Sequence, residues 1–322
     1  MVEFSCNSVR PELSIVATIY NNAAILTKFV AELQLQAEEL GVSYEIILVD
    51  DSSTDGSAIL LGQLCQNNPY VKALLLAKNH GQQIAMSAGI NESRGEFVII
   101  MDGDWQNPPE AVKALYQRVK KVAVDVVYCV SYNRNGILDI VSSYLMWFVI
   151  RRFFKVRMLP NQLMMRIMSR RVVDIFRHYG ERVRTVGGIV YDIGMPYDFI
   201  KVKNRKRPHG KSNYSFIRRL SVFIDFIFEL TNAPLNLLIY LGFLILMFTV
   251  MVSGYYIYQY FHNTILPGFT TIVLSIFLFG SLNLMIFGII GRYLANIYSE
   301  VRGRPLIIVF KRLNFMEEDN ES

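Results

Sequence analysis

Short apolar runs alternate with helical patterns along the first part of this chain. Four runs are apolar enough for buried strands, and after each one the apolar positions recur with the period of a helix. The runs are Leu13–Tyr20, Tyr44–Val49, Val71–Leu76 and Phe97–Met101, with helices predicted to about Gly41, over Gly56–Gln66, over Gln82–Glu92 and from Pro109 to about Val122. This order predicts an α/β fold with a mostly parallel, Rossmann-like sheet.

A long uncharged region distinguishes the second half of the chain. Leu230 to Gly291 contains no Asp, Glu, Lys or Arg, and the segment His262–Gly268 divides it into two spans. Each span exceeds the about 20 apolar residues that cross a bilayer. These spans predict two transmembrane helices. The alternative is a pair of helices buried in a soluble core, but uncharged helices of this length are rare outside membranes.

Basic residues flank the two spans and predict their orientation. Lys201–Arg219 holds eight Lys or Arg and no acid, whereas the connection between the spans holds neither Lys nor Arg. Because cytoplasmic segments carry the excess of positive charge, we expect the amino-terminal part and the tail to lie in the cytoplasm. Residues 1–11 lack the apolar core of a secretory signal.

Composition agrees with a membrane-associated protein of a reducing compartment. The 322 residues are 52% hydrophobic and only 19% charged, with a net charge of +6. The mean hydropathy of +0.29 is high for a soluble enzyme. Three isolated cysteines show neither metal-binding nor redox spacing.

The fourth apolar run leads directly into a set of oxygen ligands. Asp102, Gly103, Asp104 and Gln106 follow it, at the edge where open α/β sheets bind ligands. Two carboxylates and an amide oxygen suit Mg²⁺ or Mn²⁺, whose remaining positions substrate phosphates and water would fill. The alternative is an ordinary turn, since Asp and Gly are favoured turn residues.

The other strand ends carry polar residues suited to a nucleotide. Carboxylates at a strand end can accept hydrogen bonds from a base or a ribose, and a glycine turn opening a helix brings backbone N–H groups to a ligand. Ser53 and Asp55 are better explained as helix caps, and His80 as a shaping residue rather than a base. The candidates at these ends are Thr18, Tyr20, Asn22, Asp50, Asp51, Lys78, Gly81 and Gln82.

Several motifs together resemble the membrane-anchored family 2 glycosyltransferases, which have a GT-A type catalytic domain. The resemblance is strongest to the polyprenyl-phosphate glycosyltransferases, the group of dolichol-phosphate mannose synthase and the bactoprenol glucosyltransferases. It covers nearly the whole chain. The motifs are Ile19–Asn21, Val49–Gly56, Asn79–Gln82, Met101–Pro109, Met165–Arg171, Arg207–Tyr214 and Val301–Pro305.

The resemblance implies inverting transfer of a sugar from a nucleotide sugar, usually UDP-linked, to a polyprenyl phosphate such as undecaprenyl phosphate. The expected setting is the cytoplasmic face of a bacterial inner membrane, for O-antigen or another surface polysaccharide. Asp102 and Asp104 would be catalytic and, with Gln106, would hold the metal. The implied nucleotide-sugar residues are Thr18, Tyr20, Asn22, Asp50, Asp51, Lys78, Gly81, Gln82 and Gly103, and the implied acceptor-phosphate residues are Arg134, Arg166, Arg207, Lys211 and Ser212. A homo-oligomer is expected, and no nucleic acid partner.

The predicted organisation has four parts. Residues 1–136 form the GT-A nucleotide-sugar core and 137–232 the acceptor side of the catalytic domain. The stretches Ile137–Lys155 and Ser215–Leu230 place aromatic residues beside basic ones, as amphipathic helices at a membrane interface do. Residues 233–299 form the transmembrane hairpin and 300–322 a cytoplasmic tail.

One departure from the family pattern bears on the acceptor. Met164 stands where many relatives have an Asp, the candidate catalytic base. A hydroxyl acceptor needs a general base, for which Asp139 and Asp192 are the alternatives, whereas a phosphate monoester is largely a dianion at neutral pH. Two alternatives therefore stay open: a family 2 transferase that extends a lipid-linked glycan at a hydroxyl, and a non-catalytic membrane adaptor.

Overall fold

The computed structural model describes most of the amino-terminal part of the chain and its carboxyl-terminal end. The described residues are 10–105, 107–131, 159, 162–179, 185–203, 268–303 and 305–315, with isolated positions between 240 and 258. They fall into two compact units. The first holds the described residues up to 203 and from 305 onward, and the second holds those from 240 to 303.

The first unit is an α/β domain whose elements alternate as the apolar pattern predicts. The strands are β1 (Leu13–Ile19), β2 (Tyr44–Asp50), β3 (Val71–Leu76), β4 (Phe97–Asp102), β5 (Val126–Ser131), β6 (Gln162–Ser169), β7 (Tyr197–Val202) and β8 (Val309–Leu313). The helices are α1 (Ala23–Glu38), α2 (Ser57–Asn67), α3 (Gln82–Glu92), α4 (Ala111–Val122), α5 (Arg170–His178) and α6 (Val186–Ile193). The four predicted strand–helix pairs are confirmed, with ends that differ by a few residues.

All eight strands form one mixed sheet in the order β7-β5-β6-β4-β1-β2-β3-β8. Strands β1 to β4 are mutually parallel, β7 is parallel to β5, and β6 and β8 are antiparallel to their neighbours. After β3 the chain crosses back to place β4 on the other side of β1. This reversal makes the carboxyl ends of β1 and β4 the switch point at which ligands bind in open α/β sheets.

Helices cover both faces of the sheet. One apolar layer contains Phe29 of α1, Leu61 of α2 and Leu115 of α4. The opposite layer contains Met86 of α3 and Phe176 of α5, with α6 beside them. The central strands are therefore buried on both faces, which explains why β1 reads as a continuous apolar run rather than an alternating one.

The chain leaves the sheet and returns to it at one edge. The chain leaves the sheet after Ser131 and after Val202, and it returns at Gln162 and at Val309. Because β6 and β8 run antiparallel to their neighbours, all four points lie at the edge where β1, β2 and β4 end. The switch point and these four strand ends therefore lie at the same edge of the sheet.

The carboxyl-terminal end of the chain belongs to the sheet. Strand β8 pairs with β3, Arg312 forms a 3.0 Å ion pair with Glu92, and Asn314 Nδ2 donates to the carbonyl of Val71 at 2.8 Å. The sequence pattern, which predicts only a tail over 300–322, gave no sign of this strand. Pairing with β8 covers a strand edge that would otherwise expose unpaired N–H and C=O groups.

The described part of the second unit is mainly the helix α7 (Phe269–Val301). Among the residues that the structure describes, no helix combines the length and the hydropathy that a membrane span requires. The transmembrane hairpin over 233–299 stays a prediction. The predicted interfacial helices Ile137–Lys155 and Ser215–Leu230 lie outside the described residues.

Candidate active site

A cleft of about 440 Å³ opens at the ends of β1 and β4. Its size falls within the range of small-molecule sites. The parallel register pairs Thr18 with Asp102, which explains why two polar strand ends meet there. The lining residues are Thr18, Ile19, Tyr20, Asn21, Asn22, Ala24, Ile25, Asp51, Asn79, Gly81, Gln82, Asp102, Gly103 and Asp104.

Gly103 sets the turn that carries the two carboxylates. Its N–H donates to the Thr18 carbonyl at 3.1 Å, and its own carbonyl accepts from Asn22 Nδ2 at 3.0 Å. A Cβ at this position would lie 2.5 Å from Ile19 Cδ1 and 2.7 Å from the Thr18 carbonyl oxygen. Only glycine lets the turn approach β1 this closely, so Asp102 and Asp104 both reach the cleft.

Asp102 accepts hydrogen bonds from amide side chains, and its pKa is raised. Gln82 Nε2 at the start of α3 donates to Asp102 Oδ1, and Asn107 also donates to this carboxylate. Burial, together with the negative charge of Asp104, raises the pKa of Asp102 to about 6, although these hydrogen bonds and Arg166 oppose the rise. A cation at this carboxylate would favour its charged form.

The residues present fit a divalent ion that the substrate helps to hold. Asp102 and Asp104 both line the cleft and offer hard oxygen ligands. Within the described ranges, no group of three or more His, Cys, Asp or Glu side chains is arranged for a metal. Mg²⁺ commonly takes one or two carboxylates and completes its shell with phosphate oxygens and water, which matches this pair.

The second polar wall of the cleft is a loop held by Asp51, which we call the Asp51 loop (residues 77–81 with Asp51). Asp51 is buried, and its two oxygens accept the N–H groups of His80 at 2.7 Å and Gly81 at 2.9 Å. Gly81 has φ +88°, a conformation that favours glycine. The loop leads directly into Gln82, whose side chain bonds to Asp102. Asp51 therefore positions the carboxylate site through the backbone of the loop.

Asp50 and His80 each keep one buried polar atom unpaired. Asp50 Oδ2 accepts the Ser53 N–H at 3.1 Å, but Asp50 Oδ1 has no hydrogen-bond partner. Burial raises the pKa of Asp50, and the nearby charges of Asp55 and Asp51 add to the rise. The Nε2 atom of His80 is likewise unpaired, and burial lowers the pKa of this imidazole, as does the charge of Lys78.

Asp55 joins the beginnings of two helices. Its carboxylate accepts the Ala23 N–H of α1 at 2.8 Å and the Ser57 N–H of α2 at 3.0 Å. Asp55 therefore bonds the first N–H group of both helices, although the N-cap positions are occupied by Asn22 and Gly56. Ser53 instead accepts the Asn21 N–H at 2.9 Å, which fixes the turn after β1 rather than a helix.

Comparison with known proteins shows which family this chain matches. Residues 14–179 match the family model for Glycosyl transferase family 2. The chain belongs to glycosyltransferase family 2. It is an enzyme of that family, and its α/β domain is GT-A-like.

The relatives are similar along nearly the whole chain. An uncharacterized glycosyltransferase of Synechocystis sp. is 31% identical, over 92% of this chain and 94% of its own length. The undecaprenyl-phosphate 4-deoxy-4-formamido-L-arabinose transferase of Pseudomonas aeruginosa is 30% identical, over 92% of this chain and 89% of its own. Among solved structures, the mannosyltransferase PcManGT from Pyrobaculum calidifontis in complex with GDP-Man and Mn²⁺ is 15% identical and covers 91% of this chain and 88% of its own, with a TM-score of 0.48.

The structure brings together most of the site residues that the sequence indicates for this family 2 enzyme. Asp50 and Lys78 do not line the cleft, whereas the other predicted nucleotide-sugar residues do. Arg166 lies buried in β6, on the same face of the sheet as Asp102, because β6 pairs it with Ile100 of β4. The predicted residues Gln106, Arg134, Arg207, Lys211 and Ser212 lie outside the described residues, so their roles stay predictions.

Sequence reasoning missed several contacts. Ala24 and Ile25 line the cleft from the first turn of α1. Their position directly after a polar strand end was the available signal, since helix starts face the ligand in such folds. Asn107 is buried and bonds to Asp102. No local sequence pattern predicts that contact.

Proposed function

We propose that this glycosyltransferase transfers a sugar from a nucleotide sugar, preferably UDP-linked, to the phosphate of undecaprenyl phosphate or a similar polyprenyl phosphate. The carrying observation is the cleft at the switch point, which Asp102 and Asp104 share with the polar ends of β1 and the Asp51 loop. That arrangement suits a diphosphate bridged by a divalent ion. The ion, Mg²⁺ or Mn²⁺, would neutralise charge on the leaving group.

Two further observations support this acceptor. A relative that is 30% identical along most of its length is named for transfer involving undecaprenyl phosphate. In addition, Met164 contacts Gln83 Nε2 through its sulfur at 3.9 Å, so a side chain that cannot accept a proton occupies the position of the candidate base. A phosphate acceptor tolerates this, because its second pKa near 6 leaves it charged at neutral pH.

The alternative bases give no support to a hydroxyl acceptor. Asp192 does not line the cleft, and its carboxylate accepts a 2.9 Å hydrogen bond from the hydroxyl of Tyr179. Asp139 lies outside the described residues. The phosphate acceptor therefore remains the proposal, because it requires no catalytic base.

A membrane setting is part of the proposal. The segments that carry the aromatic and basic stretches leave and re-enter the sheet at the edge that holds the cleft. If these segments lie at the cytoplasmic surface of a bacterial inner membrane, a polyprenyl phosphate presents its head to the cleft without leaving the bilayer. The product would then supply O-antigen or a related surface polysaccharide with sugar.

The test is a transfer assay with the purified full-length protein. It is incubated with Mg²⁺ or Mn²⁺, undecaprenyl phosphate and a panel of UDP- and GDP-sugars. An acid-labile lipid-phosphate sugar that fails to form with EDTA supports the proposal. A product that needs a glycan acceptor indicates transfer to a hydroxyl, and nucleotide-sugar binding without any product indicates a non-catalytic adaptor.

Two carboxylate variants separate the metal site from general effects. Asp104→Ala should abolish transfer while the protein stays folded, because the remaining carboxylate cannot clamp the ion alone. Asp192→Ala is the matched control, a carboxylate outside the cleft whose loss should leave transfer unchanged. Full activity of Asp104→Ala would remove the assignment of this pair to a metal.

A further inference from the structure

The beginning of strand β8 carries two exposed apolar side chains at the edge of the sheet that holds the cleft. Phe310 is 77% exposed and Ile308 is 47% exposed. Because β8 runs antiparallel to β3, its first residue, Val309, lies at the carboxyl end of β3. The Ile308 carbonyl accepts the Ala77 N–H at 2.9 Å, where the Asp51 loop begins. The two apolar side chains therefore lie at the same edge as the strand ends that form the cleft.

A β-bulge accounts for the exposure of Phe310. The register passes from the pair Leu75–Lys311 to the pair Leu76–Val309, so Phe310 is the extra residue that has no counterpart in β3. Bulges at sheet edges direct a side chain away from the regular pleat. The neighbouring Val309 packs against the apolar layer of α3 and α5. Phe310 is thus exposed by the backbone geometry of a paired strand and not by a loose chain end.

The outer edge of β8 is poorly suited to pairing with another strand. Proteins block such pairing with short edge strands, with bulges and with lysines. Strand β8 has all three, since it covers only Val309–Leu313, has its bulge at Phe310 and exposes Lys311. A partner that needs no backbone hydrogen bonds fits this edge better than a second sheet.

The charges beside the two apolar side chains are positive. Lys311 is exposed, and so is Lys78 of the Asp51 loop, which does not line the cleft. Residues 305–316 contain no Asp or Glu. Apolar and aromatic side chains next to lysines are the combination by which protein segments bind the surface of an anionic membrane. An anionic lipid surface is therefore the partner whose chemistry matches this edge.

We propose that the start of β8 is a membrane contact, in which the apolar side chains enter the headgroup layer and the lysines bind anionic lipid. This inference rests on the membrane setting of the proposed function and adds the point at which the sheet itself touches the bilayer. In the sequence, only residues 302–308 separate β8 from α7, most of which belongs to the predicted transmembrane hairpin. We call this surface the β8 contact, and its residues are Lys78, Ile308, Phe310 and Lys311.

The depth of a tryptophan in the bilayer tests the contact. Full-length protein carrying Trp147→Phe receives either Phe310→Trp or the matched control Tyr70→Trp, and is reconstituted into vesicles of phosphatidylcholine and phosphatidylglycerol. Tyr70 is an aromatic residue that is 52% exposed and directly precedes β3, at the strand end opposite the β8 contact. Trp105 is 8% exposed and gives both proteins the same background.

Lipids with a quencher on the acyl chain should reduce the emission of the probe at position 310 at least about threefold more than that of the probe at position 70. Lys311→Glu should weaken this quenching in the vesicles that contain phosphatidylglycerol, because it replaces a cation with an anion at an anionic surface. Equal quenching at the two positions would overturn the proposal. So would an emission at position 310 that changes with protein concentration in detergent without lipid, since that result indicates a second copy of the chain.

Removing the aromatic ring tests what the contact does for the enzyme. We expect Phe310→Ser to raise the KM for undecaprenyl phosphate in these vesicles about three- to tenfold, because the cleft loses part of its hold on the bilayer. Tyr70→Ser should leave that KM unchanged. With farnesyl phosphate in detergent, which requires no bilayer, Phe310→Ser should match the parent protein. An equal loss with both acceptors would contradict a membrane role and indicate a defect in the cleft.

The quenching measurement keeps this inference separate from the proposed function, because it needs no turnover. Deep quenching at position 310 supports the β8 contact even if no lipid-phosphate sugar forms in the transfer assay. Transfer to undecaprenyl phosphate without quenching at position 310 shows that the β8 contact is wrong while the proposed function stands.

Discussion

The Asp51 loop and strand β6 each bury one charged side chain, Asp51 and Arg166, at the same sheet edge, and both side chains are 3% exposed. Asp51 has each oxygen bonded to a backbone N–H group, at 2.7 and 2.9 Å. Arg166 keeps Nη1 without a partner. The difference shows two uses of a buried charge: a paired one fixes the backbone around a site, and an unpaired one is suited to bind a ligand of opposite charge.

The largest expected effect concerns Asp102, which contacts the Asp51 loop through Gln82 and is attracted by Arg166. Asp102→Asn should lower the transfer rate by about a thousandfold, because an amide is a poor substitute for an anionic metal ligand. Initial rates at saturating donor and acceptor measure this loss. A rate within tenfold of the parent enzyme would contradict a metal role for Asp102.

Asp102→Asn should raise the stability of the fold although it lowers the transfer rate. The pKa of Asp102 is raised to about 6 in the folded protein, so its contribution to stability is complete below the ordinary value of 3.8 and is lost as the pH rises through about 6. Asparagine cannot ionise. Without metal, Asp102→Asn should therefore be more stable than the parent by on the order of 1–3 kcal/mol at pH 7, and the gain should vanish below pH 4 in urea unfolding.

Asp51→Ala should be the next largest change and should contrast directly with Arg166→Met. It leaves the partly buried N–H groups of His80 and Gly81 without their carboxylate, and Gly81 keeps only its 3.2 Å bond to Asn79 Oδ1, at a cost of roughly 2–5 kcal/mol in the free energy of unfolding. Urea denaturation of both variants measures the contrast. If Asp51→Ala were as stable as Arg166→Met, the distinction between a paired and an unpaired buried charge would fail.

Gly103→Ala should have an intermediate effect on both stability and activity. The new Cβ would collide with Ile19 and the Thr18 carbonyl, which costs about 1–3 kcal/mol and displaces the turn between the two carboxylates. Gly62→Ala in α2 is the control, because its Cβ would meet nothing within 4 Å. Gly62→Ala should leave activity unchanged and raise stability slightly. Equal melting temperatures for the two variants would refute the close approach.

Met164→Leu should produce the smallest effect. The two side chains have similar volume, so the free energy of unfolding should change by less than about 1.5 kcal/mol. The acceptor KM should change less than threefold, because the thioether of Met164 only covers the guanidinium of Arg166. A large rise in that KM, measured beside the unchanged donor KM, would show that the sulfur itself contacts the acceptor.

The sequence predicts the carboxylate pair of the site better than the roles of Asp50 and Asp51. Asp102 and Asp104 could be found because they follow an apolar strand, and parallel strand ends meet at one edge. The roles of Asp50 and Asp51 could not be separated, because both are acidic residues at the end of β2. Only the folded chain shows that Asp51 holds the loop and that Asp50 lies outside the lining of the cleft.

The amino-acid sequence determined the strand–helix order, the edge that carries the site and the family. These features depend on residues close together in the chain, where periodicity and turn chemistry act. Tertiary structure decided the pairing of β8 with β3, the raised pKa of Asp102 and the open Nη1 of Arg166. Each of these depends on burial or on contacts between residues far apart in sequence, as β3 and β8 are, and only packing brings such residues together.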